Sequence, residues 1–557
     1  MSQCDQSAVE TPLLFSPQKR RPASIPRESV RVLLVGPYDP TCGEYTFLSP
    51  PLGIWRLAGW LQHHGFPVTV LDPNCCEGQP ENRLEDLLRE SPFAVIGFST
   101  TGMTLRFDLG LAHLARSIAP NALLVAGGME ATFNPGQVLD LGRFDCVILG
   151  EGERPLVELV ERLWAGAPLA GIAGTVFPTP NGLARIPQAA LTREELRDSI
   201  FHTPYEQMPY RKYWSKLENA YRVGDLSTKG EREARLAEVR SVRLITLNYC
   251  PMGCTFCSST NFLNAAQDGT ARIARLDPDE CMTMIARLVA LYPEVRTVIF
   301  QDDIFVFTSD KRIAPLCEAI LAAKREGRLR ADLQFISTNR IDAMTPERLG
   351  MMRKAGFRVL GFGVENFSLS VLKEFNKAQI YPFIEKGLSD ALGEGITPFL
   401  DMILTSPGCQ LEDLATTVRE AYKWTLAGCE TGMYPYVIPF SGAVMAKDPR
   451  LVADTVQMTH TIPGTDITWK QPAKILPKDD RTRRAILEIE ERFQCEIARL
   501  EADFAHLPSR VRSLVWVLCA SPVLSAEGFP MPSPAEVRQQ LTKRLPVPRP
   551  RTARMAS

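Results

Sequence analysis

Short apolar stretches alternate with helical stretches twice along this chain, and this alternation constrains its fold more than any other feature. In the first block the apolar stretches are rich in Val, Ile and Leu and lie at 31–35, 67–71, 93–98, 122–126 and 145–149. Stretches of this length and composition are typical of strands buried on both faces, and helices between them make neighbouring strands parallel. Residues 30–177 are therefore predicted to form a doubly wound, Rossmann-like α/β domain.

A second alternation begins near residue 241. Its apolar stretches lie at 242–247, 297–300, 333–336, 359–364, 396–404 and 433–437. Six strands separated by helices, in about 200 residues, are typical of a partial or complete TIM-type α/β barrel. We therefore expect a barrel over residues 241–444.

The rest of the chain predicts less regular structure. Residues 178–240 contain scattered prolines and a charged run, which favour a linker with little core of its own. No strands are expected after residue 444, and a long charged helical pattern predicts a mainly helical region over 445–540. The leader 1–29 and the Pro- and Arg-rich tail 541–557 are expected to be disordered.

Charge and cysteine content exclude several classes of protein. Lys and Arg total 63 against 64 Asp and Glu, so the chain has no long-range attraction for nucleic acid or an anionic membrane. No apolar run reaches the roughly 18 residues of a spanning helix, and the leader lacks the apolar stretch of a secretory signal. We therefore predict a cytoplasmic protein without nucleic-acid or membrane partners. Its 14 cysteines are then more typical of metal ligands than of a disulfide scaffold.

Three cysteines directly after the first strand of the second block are the sharpest local motif. Cys250, Cys254 and Cys257 lie within eight residues, so their thiolates can converge on one metal centre. Thiolates hold iron–sulfur clusters, and three of them on a four-iron cluster leave one iron open. Structural zinc would need a fourth ligand nearby, and the next candidates are the distant Cys281 and His460. A chance cluster near a turn is the remaining alternative.

This motif resembles the radical S-adenosylmethionine (SAM) superfamily, in which CxxxCxxC follows the first barrel strand. The resemblance extends over much of the second block, including the "GxE" segment 361–366 and a lysine at Lys377. It implies a 4Fe-4S cluster on the three cysteines. It also implies SAM contacts from Phe256, Gln301, Asp302, Asp303, Ser337, Asn339, Arg340 and Glu365. Two alternatives stay open: Asp302 and Asp303 as an N-cap pair for the following helix, and Arg340 as the partner of a surface acid.

The first block resembles the cobalamin-binding domain that precedes the barrel in many members of this superfamily. The resemblance implies cobalamin contacts from segments that follow its strands. These are Pro37 and Tyr38; Ser99, Thr100 and Thr101; Gly127, Gly128, Met129 and Glu130; and Gly150, Glu151, Gly152 and Glu153. Glycines there let the backbone approach a large flat cofactor, although ordinary tight turns would also use them.

The histidine motif that ligates cobalt from below in some cobalamin domains, Asp-x-His-x-x-Gly, is absent. His63 and His64 lie at a predicted helix end and are read as its C-terminal cap, and His113 lies within a helix. We therefore expect no histidine ligand below the cobalt.

Together the resemblances imply a cobalamin-dependent radical SAM methyltransferase. It would methylate a carbon centre of a small-molecule or peptide-derived substrate, through methylcobalamin and a 5'-deoxyadenosyl radical, with electrons from a flavodoxin or ferredoxin. A non-methylating rearrangement, cyclisation or ring contraction is the alternative, and a non-catalytic cobalamin or iron–sulfur sensor is a third. The family alone suggests natural product biosynthesis, which is an analogy of fold. No residue identifies the substrate.

Overall fold

Two sheets, each covered by its own helices, organise the molecule. The computed structural model describes residues 26–40, 49–226, 228–267, 269–504 and 507–546. Most of the predicted leader, Cys42 and most of the predicted tail lie outside the described residues. Among the described helices, none is long and apolar enough to cross a membrane.

The first sheet contains the five strands that the sequence predicts and two more. Its strands are β1 (Val32–Val35), β2 (Val68–Leu71), β3 (Val95–Ser99), β4 (Leu123–Gly127), β5 (Cys146–Ile148), β6 (Thr175–Thr179) and β7 (Gly182–Ile186). The spatial order is β2-β1-β3-β4-β5-β6-β7. The first five strands are parallel, and the hairpin β6–β7 adds antiparallel to the β5 edge.

Helices cover both faces of this sheet. They are α1 (Leu52–His63), α2 (Pro80–Glu90), α3 (Leu105–Ile118), α4 (Met129–Phe133), α5 (Pro135–Gly142) and α6 (Glu153–Ala165). Because both faces are covered, all four residues of β1 are buried. The prediction of a doubly wound α/β sheet is confirmed.

Residues 178–240 form more structure than the predicted linker. They contain β7 and the helices α7 (Arg193–His202), α8 (Tyr210–Ala220) and α9 (Lys229–Val239). Tyr205, Tyr210 and Trp214 are buried in the same hydrophobic core as the barrel strands. The sequence pattern underestimated this segment because its apolar residues are few but large, and they complete a neighbouring core.

The second sheet is an open, six-stranded part of a barrel. Its strands are β8 (Ser241–Leu244), β9 (Thr297–Phe300), β10 (Gln334–Asn339), β11 (Phe357–Glu365), β12 (Thr397–Ile403) and β13 (Glu430–Tyr434). All pairings are parallel, and the strands stand in sequence order. The helices of this part are α10 (Ser259–Ala266), α11 (Pro278–Leu291), α12 (Ile313–Arg325), α13 (Pro346–Ala355), α14 (Leu369–Glu374), α15 (Tyr381–Gly393) and α16 (Leu411–Ala427).

The alternation of burial along β12 shows that only one face of this sheet is fully covered. Pro398, Leu400 and Met402 are buried, whereas the residues between them are only half-buried. Leu400 and Met402 belong to the hydrophobic core that includes residues of the barrel helices. The half-buried residues therefore face the concave side, and the barrel has an accessible lumen.

The C-terminal region is mainly helical but not free of strands, so that expectation was wrong. It contains the antiparallel hairpin β14 (Thr455–Thr461) and β15 (Thr468–Ile475), followed by α17 (Asp480–Asp503), α18 (Ser509–Ala526) and α19 (Pro534–Thr542). The hairpin reaches the first domain, where Ile462 and Trp469 are buried in its core. Its strands carry alternating polar residues with few large apolar ones, which hid them in the sequence.

Candidate functional site

The carboxyl edges of the two sheets meet at one interface. The loop after β13 contacts the first domain through Ser441, whose hydroxyl donates to Glu130 Oε1 at 3.0 Å and accepts from Asn134 at 2.9 Å. The next residue, Gly442, accepts a 2.8 Å hydrogen bond from Asn261 of α10. The loop therefore joins the end of β4 to the helix that follows the three cysteines.

The cysteine loop between β8 and α10 is anchored at its centre. Thr255 donates its backbone N–H to the carbonyl of Phe375 at 3.1 Å and its hydroxyl to the carbonyl of Glu374 at 2.8 Å. The ring of Phe256 lies 4.9 Å from that of Phe375, which gives the aromatic residue before the last cysteine a packing role. Gly253 adopts φ +69°, a conformation that favours glycine.

Burial disfavours the thiolate forms of Cys250 and Cys254. Burial raises the pKa of Cys250 to about 11, and the charge of Asp303 adds to the rise. Burial also raises the pKa of Cys254, against the opposing charge of Lys377. Metal coordination deprotonates a thiol outright, so this donor set suits a metal centre. Among the described residues, no three His, Cys, Asp or Glu side chains form a group that could hold a metal ion, but a four-iron cluster spreads its thiolates over separate irons.

The two acidic residues after β9, Asp302 and Asp303, have different surroundings. Asp302 is buried and accepts hydrogen bonds from the backbone N–H groups of Thr246 at 2.7 Å and Leu247 at 2.9 Å. Burial raises the pKa of Asp302 to about 6 despite these bonds. Asp303 is exposed and accepts from the Ser259 hydroxyl at 3.3 Å. Asp302 therefore positions the start of the cysteine loop, while Asp303 stands free for a ligand.

The N-cap alternative for this acidic pair is wrong, because the next helix after it, α12, has Arg312 as its N-cap. Gln301 is exposed and accepts a hydrogen bond from Arg243.

The end of β11 holds a buried ion pair. Lys377 Nζ lies 2.8 Å from Glu365 Oε1, and each side chain is only 9% exposed. Burial alone would lower the pKa of Lys377, but the charge of Glu365 outweighs it and the pKa is raised. A Cβ on Gly363 would come within 2.7 Å of Lys377 Nζ, so only glycine leaves room for the pair.

Backbone strain accompanies this pair. Glu365 has φ +65°, and Lys377 stands between Asn376 at φ +52° and Ala378 at φ +51°. Left-handed conformations at such residues cost about 1–3 kcal/mol each and cluster at functional sites.

The end of β10 contributes three predicted residues in different ways. Arg340 pairs with Asp342 at 2.7 Å and donates to the carbonyl of Lys377 at 3.1 Å, so the surface-acid alternative describes its partner. Asn339 donates to Ser337 Oγ at 3.0 Å, and both are buried. The Oδ1 atom of Asn339 is buried without a hydrogen bond among the described residues. It is an unused acceptor at the end of β10, opposite Phe362 of β11.

At the edge of the first sheet lies a cavity of about 190 Å³. It brings together seven of the predicted cobalamin contacts: Ser99, Gly127, Gly128, Gly150, Glu151, Gly152 and Glu153. Its apolar walls include Leu57 of α1 and Phe262 of α10. The cavity therefore reaches the helix that follows Cys257.

Two glycines shape this edge. Gly128 has φ +93°, and a Cβ there would meet the Thr100 carbonyl at 2.6 Å. Gly150 has φ +64°, and a Cβ there would meet Ala266 at 2.6 Å. The structure thus requires glycine at both positions through contacts within the protein, as the tight-turn alternative supposes, and approach to a cofactor stays a prediction.

Two carboxylates give the cavity polar walls. Glu153 forms a buried ion pair with Arg56. Burial, with the charge of Glu153, raises the pKa of Glu151 to about 7. Glu151 accepts a 2.7 Å hydrogen bond from the Leu191 backbone.

The other predicted cobalamin residues do not line the cavity. Tyr38 lies beyond β1 and donates its backbone N–H to Asp108 at 2.8 Å, while Pro37 accepts from Asn74 at 2.7 Å. The Thr100 hydroxyl donates to the Gly127 carbonyl at 2.9 Å. Thr101 lies in the same turn, and Met129 and Glu130 begin α4. These residues hold the loops that form the edge.

The histidines lie away from this edge. His63 and His64 are at the C-terminal end of α1, so the helix places them at the opposite edge of the sheet. His63 stacks on His202 with ring centroids 3.8 Å apart. His113 Nε2 hydrogen-bonds the Leu141 carbonyl at 2.7 Å. His64 is the C-cap residue of α1, as expected, and His113 lies within α3.

Sequence reasoning missed Asp401 on β12 and Tyr434 on β13. Both lie on the lumen side of the sheet, and burial with the charge of Asp401 raises the pKa of Tyr434. A lone acidic residue inside an otherwise apolar strand stretch was the available signal.

Comparison with known proteins defines the class. Residues 39–160 match the B12 binding domain, and residues 244–421 match the Radical SAM superfamily. The chain is therefore a B12-binding radical SAM protein, and the predicted cofactor set of cobalamin, a 4Fe-4S cluster and SAM is confirmed at the level of these two domains.

Methyltransferases stand among the relatives. An uncharacterized methyltransferase of Pyrococcus horikoshii is 23% identical over 378 residues, 67% of this chain and 73% of that protein. Cytidylyl-2-hydroxyethylphosphonate methyltransferase of Streptomyces wedmorensis is 24% identical over 59% of this chain and 63% of its own length. The predicted enzyme class, a cobalamin-dependent radical SAM methyltransferase, is confirmed by this kinship.

A cyclase is also among the relatives, and the fold is shared with a solved methyltransferase. Anaerobic magnesium-protoporphyrin IX monomethyl ester cyclase of Cereibacter sphaeroides is 24% identical over 71% of this chain and 60% of that protein. The radical SAM methyltransferase TsrM of Kitasatospora setae, solved with tryptophan and a SAM analogue, has a TM-score of 0.59. It is 17% identical and the match covers 78% of this chain and 79% of TsrM, which shows a shared fold.

Proposed function

We propose that this enzyme methylates a carbon centre of a small-molecule or peptide-derived substrate bound between its two domains. The observation that carries the proposal is the place of α10. This helix follows Cys257 and supplies Phe262 to the cavity at the glycine-rich edge, so the cysteine loop and the predicted cobalamin edge share one wall.

The chain's residues fit the three cofactors. Cys250, Cys254 and Cys257 would hold the 4Fe-4S cluster. The Glu365–Lys377 pair, Asp303 and the free Asn339 Oδ1 would hold SAM beside it. When bound, the cofactors supply a 5'-deoxyadenosyl radical and a transferable methyl group.

The first domain would hold cobalamin at its edge, with part of the cofactor in the cavity. Gly127 lines that cavity and no atom lies within 4 Å of where its Cβ would be, so the backbone there would approach the cofactor. The loop after β13 closes the interface through Ser441 and Gly442, which would position the substrate and exclude water. A flavodoxin or ferredoxin remains the predicted electron donor.

A rearrangement, cyclisation or ring contraction is the second candidate, and the cyclase relative favours it. The two candidates differ in how they use SAM. A cobalamin methyltransferase consumes one SAM as methyl donor and another as radical source, whereas the second candidate needs only the radical source.

Labelled SAM separates them. Reconstituted enzyme, reductant, substrate and SAM with a deuterated methyl group should give S-adenosylhomocysteine and 5'-deoxyadenosine in comparable amounts. The product should carry all three deuterons, because the methyl group is transferred intact. Deoxyadenosine without matching S-adenosylhomocysteine, and an unlabelled product, would establish the second candidate instead.

A further inference from the structure

Asp401 is a carboxylate on the concave face of the barrel. Its neighbours along β12, Leu400 and Met402, are fully buried on the outer face, so Asp401 points into the lumen. Phe399 and Ile403 share its face, two residues away on either side.

Of the two adjoining strands, β13 leaves space beside this carboxylate, whereas the space at Gly363 of β11 is filled by Glu365 and Lys377. In the sheet register Asp401 stands between Gly363 of β11 and Gly432 of β13. A Cβ on Gly432 would lie 3.8 Å from Asp401 Oδ1, in ordinary contact, and glycine leaves that volume open. Tyr434, 54% exposed, lies two residues further along β13.

Nothing in the described part of the chain donates a hydrogen bond to Asp401. Burial raises the pKa of its carboxyl to about 7, the charge of Glu365 adds to the rise, and Lys377 opposes it. Lys377 already pairs with Glu365. A half-buried carboxylate among apolar side chains is costly unless a cation or donor meets it.

The charges that act on Asp401 belong to the Glu365–Lys377 pair. The Lys377 ammonium lies 5.9 Å from the ring of Phe256 in the cysteine loop, so the Glu365–Lys377 pair belongs to the side of the lumen where SAM would bind. Asp401 lies on the next strand, β12, two residues from Phe399, and Tyr434 lies on the strand after that, β13. Phe399 and Ile403 share its face of β12, with Glu430 and Tyr434 opposite them on β13.

We propose that Asp401 binds an ammonium group of the substrate, and that the lumen beside it takes an apolar or aromatic body. The substrate class is thus an apolar amine or an amino-acid-derived group with a free amine. This proposal rests on the proposed function, because it assigns the lumen to the substrate.

Binding of matched amines and neutral amides tests the proposal. The probes are tryptamine and indole-3-propionamide, and phenethylamine and 3-phenylpropanamide, titrated calorimetrically under anaerobic conditions into reconstituted holoenzyme. Wild-type enzyme should bind each amine at least about tenfold more tightly than its amide, since a hydrogen bond to a charged group is worth that much. Asp401→Asn should remove this preference and leave amide affinity unchanged.

The pH dependence of amine affinity should agree with a role for the Asp401 carboxylate. The amines stay protonated throughout, so their affinity for wild-type enzyme should fall as pH drops below about 7 and Asp401 takes up a proton. The groups that face Asp401 are Glu365, Lys377 and Tyr434. The Asp401→Asn variant should show no such fall.

Glu430→Gln is the matched control, because Glu430 lies on the neighbouring strand β13, near Arg510 at 4.0 Å. It should keep the amine preference. The proposal is overturned if wild type shows no preference, if Asp401→Asn keeps it, if Glu430→Gln loses it, or if Asp401→Asn loses affinity for SAM. Failure of methyl transfer in the labelled-SAM experiment would not alter amine binding, so the two proposals fail separately.

Discussion

The two sheets of this protein offer different surfaces to a ligand. The first sheet is buried on both faces, as the four buried residues of β1 show, and its cavity lies at the glycine-rich carboxyl ends of its strands. The barrel sheet is buried on one face and open on the other, as the alternation along β12 shows. It can therefore use its edge and its concave face.

This difference decides which residues form each site. At the first sheet the ligand must approach backbone, so glycines such as Gly128 shape the edge. In the barrel, strand side chains reach the lumen directly, so charged groups such as Glu365 and Asp401 would contact a ligand there. Added volume at Gly128 should therefore disturb the first site, and lost charge at Glu365 should disturb the second.

Removing the three thiolates should have the largest effect. Cys250, Cys254 and Cys257 all changed to Ala should abolish iron binding, visible absorbance of the cluster and SAM cleavage, because no thiolate remains. Cobalamin content should stay at the wild-type level, since the edge of the first sheet is untouched. Iron and cobalt analysis after anaerobic reconstitution measures both. Stoichiometric zinc and no iron in the wild type would contradict the cluster assignment.

Breaking the buried Glu365–Lys377 ion pair should have the second largest effect. Lys377→Met leaves the Glu365 carboxylate buried and unpaired, which costs about 3–5 kcal/mol. Thermal unfolding should show the loss, and the double variant with Glu365→Gln should recover part of it. The control is Lys386→Met, whose pair with Asp390 is 65% exposed on the lysine side and worth under about 1 kcal/mol. Equal losses in both variants would refute the special role of the buried pair.

Added volume at the first sheet should have the smallest effect. Gly128→Ala places a Cβ at 2.6 Å from the Thr100 carbonyl at φ +93°, so cobalamin affinity should fall about tenfold through backbone strain. Iron content should not change. Gly393→Ala in α15 is the control, because no atom lies within 4 Å of its added Cβ. Visible titration with cobalamin distinguishes the two, and unchanged affinity in Gly128→Ala would show that this turn does not shape the site.

The sequence predicted the parts of the fold that depend on local patterns. All eleven strand stretches proposed from apolar patterns correspond to strands of the two sheets, because buried parallel strands need continuous apolar residues. The hairpins β6–β7 and β14–β15 were missed, since their exposed faces carry polar residues and only tertiary contacts make them strands.

The residues of the candidate site also differ in whether local sequence or only the fold brings them together. Motif residues such as Cys250 could be predicted because they lie together in the sequence. The role of Asp401 could not be predicted, because it depends on Gly363 and Gly432, which the sheet register brings beside it. The positioning role of Asp302 was equally hidden, since its partners Thr246 and Leu247 precede it by more than fifty residues.

The hairpin β14–β15 also sets an order of events during synthesis. Ile462 and Trp469 are buried in the core of the first domain, and Gln471 donates to the Gly102 carbonyl at 3.0 Å. Domains usually fold as they leave the ribosome, the N-terminal one first. Here the first domain can pair its strands early, but it receives its last core side chains only after the whole barrel has been translated. The nascent chain must therefore wait with an incomplete core, and maturation of the first domain is coupled to that of the barrel.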